Sequence, residues 1–499
     1  TGAYTVKLNL LQNYFGAILM ERSDRHSWTG DAHTSQAASM VAFGNYDFVK
    51  QNLRYTSTQY NGIASYSLYW VLSLIDYYMY TGDKALLDEM LENACQKLDI
   101  AYHHYDKDPV IAFYGWDERL GGFESPTAEA KHAYRMLSIQ AWNKFASILD
   151  HAGYEELATR YQRYAREKID SLRMNPDWTD KLGVHAAADA INAGFANREE
   201  QRRLLSKALS DRMQRLSYSP FNQYFIIQSL AEIQEYDKAL VTIDDCWGGQ
   251  IRYGGTTFFE VFRPSWNTIS RPNDAPVNNQ CGYTSLTHPW SAGVTKWLSE
   301  EILGVRPTSP GFATFIIKPH LSAGVTWAKG TVPTPNGNIV VSFDLKSGEY
   351  LFTVPANTTA DIAIPKGGYK INKVTLDHKR IASIGKDEDF IYCRGISPGE
   401  HRMKVHHSGK MSPSVDEPFV YENETFREDI ETKGNWRNKY GKQGYILCSY
   451  DSLSDRTRLP DFIRDVKFSR NGNTHWITST TDIRALESDK EESGRDRKS

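Results

Sequence analysis

The chain has 499 residues, enough for two to four domains, and its 40% hydrophobic and 24% charged content marks it as globular rather than disordered. A net charge of −3 offers no basic field for nucleic acid, and no stretch reaches about 18 consecutive apolar residues, so no membrane span is expected. Cys95, Cys246, Cys281, Cys393 and Cys448 form no CxxC pair, which argues against a zinc ribbon or thioredoxin-like site, and their odd, sparse count builds no disulfide framework but leaves room for one bridge.

The chain begins at Thr1, without Met, directly in a helical pattern, and we expect it to lack its natural N-terminus. An apolar run (Tyr14, Phe15, Ile18, Leu19, Met20) leads into ERSDRHSWTGDAH at 21–33, and a small-residue helix pattern (Ala37, Ala38, Met40, Val41, Ala42) follows. This stretch gathers Glu21, Asp24 and Asp31 with Arg22, Arg25, His26, His33 and Trp28, on an expected interhelical loop. By charge alone it would be a solvated loop. An indole beside acids instead suits a sugar, with a flat apolar face for the ring and carboxylates for the hydroxyls.

Helix follows helix from there to about residue 305. Ser65 to Tyr80 is strongly apolar and stops at Gly82; Asp83 caps the next helix, through about His104. Ser125-Pro126 opens another, ending near Gly153, and Glu155 to Leu172 follows. Ser219-Pro220 starts the next, Asp237 to Ile243 succeeds it, and a last helix covers Ser291 to Ile302. Short turns pair these helices, alternating with longer loops rich in Trp and Gly. That pattern predicts a toroid of helical hairpins whose long loops gather at one end. Three such loops follow the first: Phe113 to Phe123, with Trp116 and Asp117; Trp247 to Trp266; and Ser285 to Trp290.

The period changes near Pro307. Phe312 to Lys318, Val325 to Val332, Ile339 to Leu345, Tyr350 to Val354 and Ala360 to Ile364 read as strands, separated by turns such as Pro335-Asn336-Gly337-Asn338. We therefore expect a helical domain over 1–305, a β-sandwich over 306–408, a small β-rich segment over 409–486 with a linker at its start, and a charged, disordered tail over 487–499. The sequons at Asn357 and Asn423 permit an extracellular setting.

Phosphate-loop, dinucleotide, HExxH and GxSxG patterns are absent, and no metal or cofactor is expected. His103-His104 and His406-His407 read as surface residues. Glycoside hydrolysis needs two carboxylates across one pocket. Glu260, at the end of an apolar run after a Gly-rich turn, is the best partner for the Glu21 to Asp31 group, although an exposed loop acid would look the same by spacing.

WTGDA at 28–32, GGTTFFE at 254–260 and SLTHPWS at 285–291 resemble the signatures of the glycoside hydrolase family 78 α-L-rhamnosidases. The run WLSEEILGVRPTSPGFATFIIKP resembles that family's passage from helical barrel to C-terminal β-sandwich. The resemblance spans roughly residues 5 to 365 and implies an (α/α)6 barrel followed by a C-terminal β-sandwich. It further implies an inverting hydrolase that removes terminal α-L-rhamnose from rhamnosylated small molecules or plant polysaccharide fragments, in a secreted setting.

The family's general acid is a Glu seven residues before the WTGD aspartate; that position here is Asp24, with Glu21 about one turn earlier. The family's upstream Asp falls on Leu19 and its loop Arg on Ser23, with Arg22 and Arg25 beside it. The resemblance makes Glu260 the general base, Trp28 and His288 the lining of the sugar subsite, and Asp31 a ligand of hydroxyls. Glu21, Arg25, Trp116 and Asp117 complete the expected substrate contacts. Two rival readings are another (α/α)6 carbohydrate enzyme, a glucuronyl hydrolase or a lyase, and a glycan-binding relative without catalysis. A lyase needs a Tyr/His base and a cationic site, which the acid-rich loop does not offer.

Overall fold

The structure is a computed structural model, and it describes residues 1–11, 14–16, 27–107, 128–217, 219–263, 285–321, 325–381, 385–387, 389–409, 431–437, 439–451, 454–467, 479–488 and 497–498. It divides into two compact units, Thr1–Tyr421 and Glu422–Ser499.

In the first unit, α2 (Thr29–Phe43) is buried on all sides from Thr29 to Val41, which its small side chains allow. A helix apolar or small all round belongs inside. It neighbours α4 (Ala64–Thr81), and the ring continues through α6 (Ala128–Ala152), α8 (Val184–Asn192) and α10 (Pro220–Glu232). A closing helical segment, Pro289–Ile302, packs on both α10 and α2 and completes six inner helices. Outside them lie α3 (Tyr46–Thr56), α5 (Lys84–His104), α7 (Glu155–Arg173), α9 (Arg198–Leu204) and α11 (Tyr236–Ile243). The first helix, α1 (Gly2–Leu8), packs against α2 and the closing segment. This is the toroid expected from the helical pairs, in the (α/α)6 form that the family resemblance implied.

The local signals act as their chemistry dictates. Gly82 ends α4 in the left-handed conformation at φ +69°, and a Cβ there would stand 3.3 Å from the Gly311 Cα. Asp83 accepts the Leu86 N–H at 3.0 Å and caps α5. Ser219 caps α10, with Pro220 in its first turn.

Two segments depart from the expected pattern. The last helix is not one regular α-helix: a 3-10 turn at Pro289–Gly293 precedes α-helical Val294–Trp297 and a π-helical turn at Leu298–Ile302. The stretch expected as loop from Trp247 is helical as far as Arg252, through a π-turn at Asp244–Gly248 and a short α12 (Gly249–Arg252). Tertiary contact overrides the two glycines there, since the Trp247 indole donates to the Ser291 carbonyl at 2.8 Å.

Strands begin at β1 (Val305–Pro307), followed by a turn at Pro310–Phe312 that takes the first residue of the strand expected from Phe312, then β2 (Thr314–Ile317) and β3 (Trp327–Thr334). They continue with β4 (Gly337–Asp344), β5 (Glu349–Val354), β6 (Thr359–Pro365), β7 (Lys370–Leu376), β8 (Lys379–Arg380), β9 (Gly385–Lys386), β10 (Phe390–Ile396) and β11 (Gly399–Ser408). One sheet has the order β1-β2-β6-β10-β9, with β2 and β6 parallel; the other is antiparallel, β3-β4-β5-β11-β7-β8. Ile339, Val341 and Phe343 alternate inward on β4, as a half-buried strand requires. Tyr80 of α4 meets Phe312 edge-on at 5.1 Å, and the Tyr46 hydroxyl donates to the Pro333 carbonyl at 2.7 Å, so barrel and sandwich share one core.

In the second unit, β12 (Tyr445–Asp451) pairs antiparallel with β13 (Ser454–Arg458) over a small core of Trp436, Leu447 and Tyr450. Within the tail expected to be disordered, Arg497–Lys498 pairs with Leu486–Glu487. The four described cysteines, Cys95, Cys246, Cys393 and Cys448, are free thiols. Among the described residues, no helix is long and apolar enough to cross a membrane.

Candidate active site

The N-terminal ends of α2, α4 and the closing segment meet at one mouth of the barrel. Asp31 sits in the first turn of α2, where the helix dipole favours a carboxylate, and is 6% exposed. Its Oδ2 accepts the Tyr66 hydroxyl of α4 at 3.1 Å, and its Oδ1 faces His288 Nε2 at 2.9 Å. His288 lies immediately before the 3-10 turn, and its ring tilts over Trp290 at 4.5 Å. The imidazole thus ties the residue-31 and residue-288 motifs together, 257 positions apart.

The other wall is laced by backbone. Glu260 N–H donates to the Ser285 carbonyl at 2.8 Å, and Ser285 N–H returns a 2.9 Å bond to Glu260 Oε2. The Trp290 indole donates to the Glu260 carbonyl at 2.9 Å, and His288 N–H to the Phe258 carbonyl at 2.8 Å. From below, Thr5 and Gln250 side chains accept the N–H groups of Phe258 and Phe259. Gly255 permits this packing: a Cβ there would stand 2.9 Å from the Gln250 carbonyl oxygen. The Glu260 side chain stays 21% exposed, with Oε2 at 3.9 Å from His288 Nδ1. That nitrogen is buried and has no hydrogen-bond partner among the described residues.

Trp28 precedes α2 at half-buried depth, edge-on to Tyr66 at 6.3 Å. Its two flanks are clamped by one side chain. Asn61 accepts the Thr29 N–H at 2.9 Å and donates to the Ser27 carbonyl at 3.2 Å. Asn61 itself holds φ +54°, a conformation that asparagine tolerates better than most residues.

Trp28, Asp31, Glu260 and His288 therefore come together at this mouth. Glu21, Asp24, Arg25, Trp116 and Asp117 lie outside the described residues. His33 is close in sequence but belongs to the core. Its ring packs beside the stacked Tyr69 and Phe225 rings, Nδ1 bonds the Ser73 hydroxyl at 2.9 Å, and burial pushes its pKa down to about 4, against a smaller upward pull from Asp76. Glu129, another acid at this end, is spent on structure: its oxygens accept the N–H groups of Gly183, His185 and Ala186 and so cap α8. Among the described residues, no cluster of three His, Cys, Asp or Glu side chains could hold a metal ion.

Sequence reading missed Tyr66 and Asn61, and it gave Ser285 no role within SLTHPWS. Tyr66 reads as one more ring of an apolar helix, and nothing local marks the other two as clamps.

The family described as "Bacterial alpha-L-rhamnosidase C-terminal domain" matches residues 304–379, which lie in the β-sandwich. An alpha-L-rhamnosidase of Alteromonas sp. is 23% identical over 446 residues, covering 80% of this chain and 46% of the relative. One of Formosa agariphila is 25% identical over 397 residues, covering 71% and 41%. The chain thus spans less than half the length of these relatives. The solved alpha-L-rhamnosidase from Dictyoglumus thermophilum superposes at a TM-score of 0.66 with 17% identity, over 81% of this chain and 48% of that one. The Streptomyces avermitilis alpha-L-rhamnosidase complexed with L-rhamnose gives 0.63 with 18% identity, over 81% and 41%. At such identities the structural likeness establishes the fold.

Proposed function

We propose that this chain is one of the glycoside hydrolase family 78 α-L-rhamnosidases and hydrolyses terminal non-reducing α-L-rhamnosides with inversion. The observation that carries this reading is the convergence of Asp31, His288 and Glu260 on one mouth of the barrel, with the Trp28 indole beside them. Asp31 and His288 would take sugar hydroxyls, and the indole would face the ring.

Glu260 would act as general base. The Ser285 N–H holds one oxygen of its carboxylate, and its partial exposure admits water. On accepting a proton, Glu260 would let that water attack the anomeric carbon from the face opposite the leaving group. The leaving oxygen needs a proton from a second carboxyl, which we assign to Asp24, with Glu21 as the alternative in the same stretch. Substrates would be rhamnosylated small molecules or plant polysaccharide fragments, met outside the cell.

A chromogenic aryl α-L-rhamnoside, tested beside the α-L-arabinofuranoside and the β-glucuronide, checks the assignment. Selective release from the rhamnoside is expected. Selective release from either of the others, or from none, would replace it. Proton NMR of the anomeric region in the first minutes should show β-L-rhamnose first. An initial α-anomer, or efficient transfer to added methanol, would make Glu260 a nucleophile.

A further inference from the structure

We infer that Tyr66 is a positioning residue for the sugar subsite, acting through Asp31; the inference rests on the rhamnosidase reading of this mouth. Asp31 is the most deeply buried carboxylate of the described pocket, and each of its oxygens meets one protein partner: Tyr66 on Oδ2 and His288 on Oδ1. An ionised carboxylate has about four lone-pair sites, so two such anchors fix its plane and leave acceptor capacity for substrate hydroxyls. With only one anchor the carboxylate would rotate about its own axis, and a sugar would have to order it on binding. That ordering cost falls on affinity.

The ring that carries the anchor cannot swing. Tyr66 is 2% exposed and touches Trp28, Tyr69 and Phe221 at centroid distances of 6.3, 6.4 and 6.5 Å. Gly30, in the first turn of α2, lies against its face: a Cβ there would fall 2.4 Å from Tyr66 Cε1. The Tyr66 backbone carbonyl accepts the Thr29 hydroxyl at 2.8 Å, fastening the same turn from the other side. The glycine of the WTGD run therefore has a physical reason. It brings α2 against the tyrosine so that the hydroxyl reaches the aspartate one position later. One ring thus braces both the indole and the acid of the subsite, and neither contact requires Tyr66 to touch the sugar.

The test is a double-mutant cycle of Tyr66→Phe with Asp31→Ala, read by steady-state kinetics on an aryl α-L-rhamnoside and by competitive inhibition with free L-rhamnose. Phenylalanine keeps the ring and its packing and removes one oxygen. We expect KM and the inhibition constant of L-rhamnose to rise together by ~10-fold, as for one hydrogen bond to a charged group, with kcat within about 2-fold of wild type. In the Asp31→Ala background the same change should add less than about 2-fold, because the group it acts through is gone. A purely structural role would lower the active fraction and the melting temperature and would leave KM in place. Unchanged KM, a full effect that persists without Asp31, or a Tyr66→Phe chain that fails to fold would each overturn the inference. An inert wild-type chain would overturn the proposed function along with it, whereas an active wild type with an indifferent Tyr66→Phe would remove this inference alone.

Discussion

The two halves of the barrel handle buried ionisable groups in opposite ways. Ten residues along α4 from Tyr66, about 15 Å deeper at helical rise, Asp76 meets Lys296 at 3.3 Å. Lys296 also reaches Glu300 at 3.2 Å, and Glu300 accepts the Tyr80 hydroxyl at 2.7 Å. Burial works against the charges of Asp76 and Lys296, but the carboxylates beside Lys296 outweigh it and hold the ammonium well above its ordinary range, while Lys296 helps hold Asp76 below its own. Each charge there is spent on a neighbour. At the mouth, one imidazole nitrogen is buried without a partner among the described residues, and the Glu260 carboxylate is partly open to water. Deep in the barrel the charges hold helices together, and at the mouth a carboxylate keeps part of its surface open to water.

The sharpest way to break that contrast is Glu260→Gln. It keeps shape and removes the proposed base, so turnover should fall by ~10²–10⁴-fold, with a melting temperature close to wild type. Full turnover in a well-folded variant would remove Glu260 from the mechanism. In the companion comparison, Asp24→Asn should be the dead variant and Glu21→Gln the mild one, and the reverse would move the general acid to Glu21.

Lys296→Met should do the opposite. It removes the cation that Asp76 and Glu300 share, in a site where Lys296 is buried and both acids are partly so. Breaking such a pair costs stability by about 3 kcal/mol, the low end for buried pairs. Urea unfolding should show the loss, while kcat per folded molecule stays within about 2-fold of wild type. A variant stable but inactive would erase the distinction between the two halves.

How much of this was legible in sequence follows from the range of each signal. Asp83, Gly82 and Ser219-Pro220 act within four residues, and their helices ended and began where those residues stand. Strand alternation from Ile339 to Val354 was equally local. The mouth was readable only as three separate motifs. Their joining depends on bonds such as His288 to Asp31 and Ser285 to Glu260, which no spacing rule encodes. Tyr66 and Asn61 escaped for the same reason. Gly248 and Gly249 misled in the other direction, because contacts around Trp247 kept the chain helical through them.

A smaller effect, on pH, sharpens the boundary between core and site. His33 is held neutral by burial, with a pKa near 4 against 6.5 for an ordinary imidazole. The unfolded chain therefore takes up a proton that the folded one refuses. The stability this contributes is complete above about pH 6.5, is lost as pH falls through the window down to about 4, and levels off below it. The loss from this one group should be about 2 kcal/mol between pH 7 and pH 5. Urea unfolding at the two pH values, for wild type and His33→Gln, isolates it: the variant should be less stable at pH 7 but flatter toward acid. An equally steep acid limb in His33→Gln would show that other groups set it.

The mildest perturbation concerns the clamp on Trp28. Asn61 does two things at once: it bridges Ser27 and Thr29 by hydrogen bonds, and it accepts a left-handed backbone at φ +54°. Two substitutions separate them. Asn61→Gly removes the bridge and keeps the backbone at ease; Asn61→Ala removes the bridge and adds a Cβ that the conformation disfavours. The glycine variant should lose about 1 kcal/mol of stability, the net worth of the lost hydrogen bonds. The alanine variant should lose roughly 1 kcal/mol more, the penalty of a Cβ in that region. Their effect on KM for an aryl α-L-rhamnoside should nevertheless be the same, ~3-fold, because Trp28 is loosened equally in both. Equal KM with unequal stability would make the bridge, and not the turn, the part of Asn61 that serves the sugar. If KM instead follows stability, Trp28 is held by the shape of the 57–63 turn, and the side-chain clamp is incidental.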